Sequence, residues 1–130
     1  MSPGTKGEGK GSLDTWDGYK EERNHIHNFI HENNISGVAI LSADRHRSDV
    51  RRIPCKNGYD LYEFMSSVLT NYHTHPVVET PELIFFFFFD NSFGLVHFNT
   101  KAHDPEMTFE IVTIDNESIW SMDIKFSKLK

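Results

Sequence analysis

Hydrophobic residues recur three and four apart in one stretch of this chain and two apart in several others, and these periods predict its elements. From Tyr19 to about Asn33 the apolar residues Ile26, Phe29 and Ile30 fall at helical spacing, while Lys20, Glu21, Glu22 and Arg23 load the first turns with charge. Asp17 is placed to cap that helix and Asn33-Asn34 to end it. Gly37-Val38-Ala39-Ile40-Leu41 is short, β-branched and continuously apolar, which predicts a strand buried on both faces. Asp49-Val50-Arg51-Arg52-Ile53 predicts a second strand, and Lys56-Asn57-Gly58 turns it into an alternating partner over Leu61 to Met65. Ser66 to Pro81 has no period and reads as a long irregular loop. Leu83 to Phe89 predicts a strand apolar on both faces, turned by Asp90-Asn91-Ser92 into Phe93 to Phe98. Met107 to Ile114 and Ile119 to Phe126 alternate about Asp115-Asn116-Glu117-Ser118 and predict a terminal hairpin with one polar face.

A helix ahead of these strands predicts an α+β fold in which one amino-terminal helix packs on a mostly antiparallel β-sheet. Residues 1–13 are rich in Gly, Ser and Lys and read as a flexible leader, followed by one domain over residues 14–130. Five successive phenylalanines, Phe85 to Phe89, exceed what a one-sided sheet can cover, which marks that strand as the edge for homo-oligomer formation. With 19 acidic against 13 basic residues and a net charge of -6, an extended nucleic-acid surface is disfavoured. The single cysteine, Cys55, excludes an intrachain disulfide and a structural zinc site built on several thiolates. No apolar run approaches the ~20 residues that span a bilayer, and the amino terminus carries no signal-peptide hydrophobic segment.

Candidate chemistry gathers where the first predicted strand ends, in Ser42-Ala43-Asp44-Arg45-His46-Arg47. Loops at the carboxyl ends of strands face the ligand crevice in open α/β sheets. There Asp44 offers a carboxylate oxygen and His46 a neutral imidazole nitrogen to one metal ion or phosphate, with Arg45 and Arg47 adding positive charge. The plainer alternative is a strand followed by a solvated turn, with both arginines in water. His27 and His31 stand four apart on one helix face, a metal-competent spacing, although His25 and Glu32 suggest a polar outer face instead. His73 and His75 lie in the long loop as candidate substrate contacts, and Trp16 and Tyr19 either wall a pocket or pack at the helix start.

Four segments, Trp16-Asp17-Gly18-Tyr19, Leu41 to His46, Tyr59 to Asn71 and Ser92-Phe93-Gly94-Leu95, together resemble in order and spacing the carboxyl-terminal part of the PhoD-like alkaline phosphatase family. Ala43 stands where that family usually has glycine. The resemblance implies the carboxyl-terminal half of a metallophosphoesterase α/β sandwich that hydrolyses phosphate mono- or diesters at a centre of Ca, Fe, Mn or Zn ions. It implies Asp44 and His46 as metal ligands, His46 and Arg45 as catalytic groups, and His73, His75, Trp16 and Tyr19 near the substrate. Most of the family's metal ligands belong to a preceding portion, which implies weak or absent catalysis by this chain alone. The family is commonly exported. The contrasting expectation is a non-catalytic α+β module that keeps the scaffold for binding or assembly, as an oligomer through Phe85 to Phe89.

Overall fold

The computed structural model describes residues 15, 16, 18–67, 69, 70, 77 and 79–130. Among the described residues there is one helix, α1 (Lys20–Glu32), and then seven strands: β1 (Ile40–Ser42), β2 (Ser48–Ile53), β3 (Leu61–Met65), β4 (Leu83–Phe87), β5 (Ser92–Asn99), β6 (Glu106–Thr113) and β7 (Ser118–Lys125). A 3-10 turn, Phe126–Lys128, closes it. The strands make two sheets, one in the order β1-β3-β2-β4 and one in the order β5-β6-β7. Every pairing is antiparallel except that of β1 with β3. The class is α+β, as the element pattern predicts.

The hairpin between β2 and β3 follows from period-two alternation: Val50 lies opposite Phe64 and Arg51 opposite Glu63. Side chains on a strand alternate faces, so Val50 and Phe64 share the face turned to the second sheet. There they join Phe109, Ile111, Met107, Ile124 and Leu129 in the buried core. Fully burying each of the larger apolar side chains contributes about 1.5–3 kcal/mol. The rings of Phe64 and Phe109 meet at 4.6 Å across the sheets, and those of Phe85 and Trp120 stack at 4.7 Å. Gly94 permits this closeness, because a Cβ there would lie 2.6 Å from Cε2 of Phe109 and 3.0 Å from Cβ of Ser66. The terminal hairpin of β6 and β7 keeps a polar face, where the Thr108 hydroxyl donates to Asp123 at 2.6 Å.

Three expectations are corrected. The first strand is not buried on both faces: β1 has three residues, forms a sheet edge and leaves Leu41 63% exposed. Its apolar run begins outside the strand, where the backbone amide of Val38 donates to the Tyr59 hydroxyl rather than to a ladder. The phenylalanine strand is shorter than its apolar run: it stops at Phe87, and Phe89, beyond it, is 76% exposed. The helix does not lay Ile26, Phe29 and Ile30 together into a core: Ile30 is buried, but Phe29 is 52% exposed and Ile26 is exposed as well. Its carboxyl-terminal turn sits instead on the loop before β3, where the His31 ring meets Tyr59 edge-on at 5.4 Å. Tyr19 occupies the N-cap with no side-chain cap, and Asp17 lies outside the described residues.

Candidate functional site at the sheet rim

Register determines what surrounds the Asp44 turn. Ser42 pairs with Met65 at the end of β3, Asp49 pairs with the same Met65, and Ser48 pairs with Phe87 at the end of β4. Strands β1, β3 and β4 therefore run in one direction, and their carboxyl ends share a rim. Since β3 lies between β1 and β2, residues 43–47 arch over its end. The amide of Ser66, the first residue after β3, donates to the Ser42 carbonyl at 3.1 Å and ties the arch to the strand below. Strand β5 starts at the same place, with the Ser92 and Ser48 hydroxyls 3.2 Å apart.

Two residues of the arch are left-handed, Asp44 with φ 84° and His46 with φ 53°. Such a backbone costs an L-residue of order 1–3 kcal/mol, least for types such as Asp and His, and persists only where surrounding structure imposes it. Asp44 is exposed, whereas Arg45 and His46 are half-buried.

What holds the arch is a ladder of buried charge on the β2–β3 face that points away from the second sheet. Arg47, Asp49, Arg51 and Glu63 are all fully buried. Arg47 Nε donates to Asp49 Oδ2 at 2.9 Å, while Arg51 Nε lies 3.4 Å from Asp49 Oδ1, an ion pair without hydrogen-bond geometry. Arg51 also donates to the Thr80 hydroxyl at 3.2 Å, and the Ser42 hydroxyl donates to Glu63 Oε1 at 2.7 Å. Burial pushes the Glu63 carboxyl above its ordinary value; the Ser42 hydrogen bond opposes the shift, and the Asp49 charge adds to it. The placement of Arg47 corrects the solvated-turn expectation. Asp49, Arg51 and Glu63 are residues that sequence reasoning passed over, although Arg47-x-Asp49-x-Arg51 at period two signals a charged strand face.

The other candidates stand elsewhere. Trp16 is half-buried in the turn before α1. Tyr19 borders an open hollow with Gly18, Lys20, Glu21 and Glu22, lined by none of residues 43–47. His73 and His75 lie outside the described residues. One carboxylate and one imidazole suit a hard or borderline ion, but among the described residues no group of three or more His, Cys, Asp or Glu side chains is arranged to hold a metal. Asp44 and His46 alone therefore do not close a metal centre. Among the described residues no helix is long and apolar enough to cross a membrane.

The family model of the PhoD-like phosphatases matches residues 1–103. No curated protein and no solved structure matches the chain.

Proposed function

From the premise that the chain belongs to the PhoD-like phosphatase family, we propose that it is the carboxyl-terminal part of a metal-dependent phosphoesterase acting on phosphate mono- or diesters. The observation that carries this reading is the convergence of three strand ends on the rim beneath Asp44-Arg45-His46, the position where open sheets build ligand sites. Asp44 and His46 contribute two donors to a centre whose other donors come from outside the described residues. An ion bound there supplies neutralisation of phosphoryl charge and a more acidic water. Arg45, between the two donors in sequence, would supply positive charge to a transferred phosphoryl group. Arg47, the residue after His46, fixes the backbone there through its bond to Asp49. Ala43 replaces the glycine of the resembled motif without itself adopting a left-handed backbone, since that conformation falls to Asp44 and His46.

With two donors in place of a full set, turnover by the isolated chain is weak. The test is hydrolysis of a chromogenic phosphate ester with Ca²⁺, Fe³⁺, Mn²⁺ or Zn²⁺ added. Slow hydrolysis that His46→Ala or Asp44→Ala reduces at least about tenfold fits the reading. Hydrolysis that neither substitution changes overturns it.

The position of β4 favours a second reading. It is an apolar edge strand without a lysine or proline, a template for pairing with another copy of the chain. A homo-oligomer indifferent to metal fits a non-catalytic assembly module; a monomer stabilised by one ion fits the enzyme.

A further inference from the structure

At the far end of β2 and β3 from the rim, the carboxyl-terminal half of α1 faces the loop that joins these strands. Between them lies a hollow of about 520 Å³ whose lining includes His27, Asn28, His31 and Glu32 of the helix and Cys55 and Lys56 of the loop. We propose that His27 and His31 form a two-imidazole binding site for a divalent transition metal ion of borderline softness, of the Zn²⁺ or Ni²⁺ class.

Residues four apart on a helix present their side chains on one face with Cβ atoms about 5–6 Å apart, a span that one ion can bridge. Both residues line the same hollow. The His31 ring is held in place: it meets Tyr59 edge-on at 5.4 Å and leaves room on its Nδ1 side for nothing larger than the hydrogen of Gly58. Its Nε2 is buried, and among the described residues it has no hydrogen-bond partner. A ring fixed by packing with one nitrogen uncommitted is a preorganised ligand, because little side-chain entropy remains to be lost on binding. His27 complements it. It is half-buried one helical turn before His31, on the same face. Glu32, Cys55 and Lys56 share the hollow, but no three-donor set is formed among the described residues, so water fills the remaining positions. Imidazole selects ions of the Zn²⁺ or Ni²⁺ class over Ca²⁺, a preference opposite to that of an exposed carboxylate such as Asp44.

The test uses the whole chain carrying His46→Ala, which removes the rim imidazole, titrated calorimetrically with ZnCl₂ and observed through its histidine ring resonances. One Zn²⁺ binds per chain at micromolar affinity, and the His27 and His31 resonances move. Adding His27→Ala weakens binding at least about tenfold. His27→Gln gives the same loss, with the helix checked by circular dichroism. Absence of Zn²⁺ binding in the His46→Ala chain, or binding that both His27 substitutions leave unchanged, overturns the proposal.

Discussion

Replacing Asp49 with alanine leaves the guanidinium groups of Arg47 and Arg51 buried without the carboxylate that lies 2.9 Å from one and 3.4 Å from the other. Removing one member of a buried ionic cluster costs about 3–5 kcal/mol, far more than the pair contributes against an apolar replacement. Urea unfolding of Asp49→Ala is expected to show that loss; a change below about 1 kcal/mol would mean the ladder does not hold the arch. Glu63 adds a pH dependence. Its folded carboxyl titrates above the usual 4.5, so folding favours the protonated acid. That contribution is complete below 4.5 and is lost as pH rises through the raised value. Glu63→Gln keeps an oxygen for the Ser42 hydroxyl and does not ionise. Its stability relative to the parent chain should therefore rise as the pH climbs from 4.5, and unfolding curves at stepped pH that keep the two chains a constant distance apart would contradict this. At Gly94 the added methyl of alanine meets the Phe109 ring at 2.6 Å, an overpacking worth about 1–3 kcal/mol in the same assay.

Elements of uniform period were the most legible. The span of α1, the β2–β3 pairing and the terminal hairpin all follow from spacing, because periods of 3.6 and 2 are set by backbone geometry alone. Apolar runs were less so. Gly37 to Leu41 reads as a strand buried on both faces, yet β1 is an edge of its sheet; Leu83 to Phe89 reads as a longer strand than β4, which ends at Phe87. Local hydrophobicity does not encode a strand's place in the lateral order, which depends on long-range pairing. The same limit applies to Phe29 and Ile26, whose helical spacing says that they share a face but not that the face is covered. The exposed β4 edge carries its own prediction. Ile84, exposed on that strand, replaced by lysine adds the charge with which natural edges block strand addition. Sedimentation velocity should then show a self-associating parent chain become monomeric, and a parent chain monomeric throughout the concentration range contradicts pairing through β4.

At the scale of the molecule, two sheets close on an apolar core while the outer face of the first carries buried charge, and the two meet at the rim. The Phe64–Phe109 contact and the Ser48–Ser92 hydroxyl pair join the sheets, so the ladder beneath the arch is set on a fixed platform. The Asp44 and His46 positions were legible as a polar stop after an apolar run. Their support was not, because the sequence places Asp49 and Glu63 14 residues apart and only the hairpin register brings both onto one face beside Arg51. This platform is expected to present Asp44 and His46 to a shared ion. Paramagnetic broadening by Mn²⁺, read residue by residue in the amide and histidine spectra, tests it most directly. The account predicts broadening centred on residues 43–47 and on Ser66 at the end of β3, lost in His46→Ala; broadening centred elsewhere, or unaffected by that substitution, would contradict it.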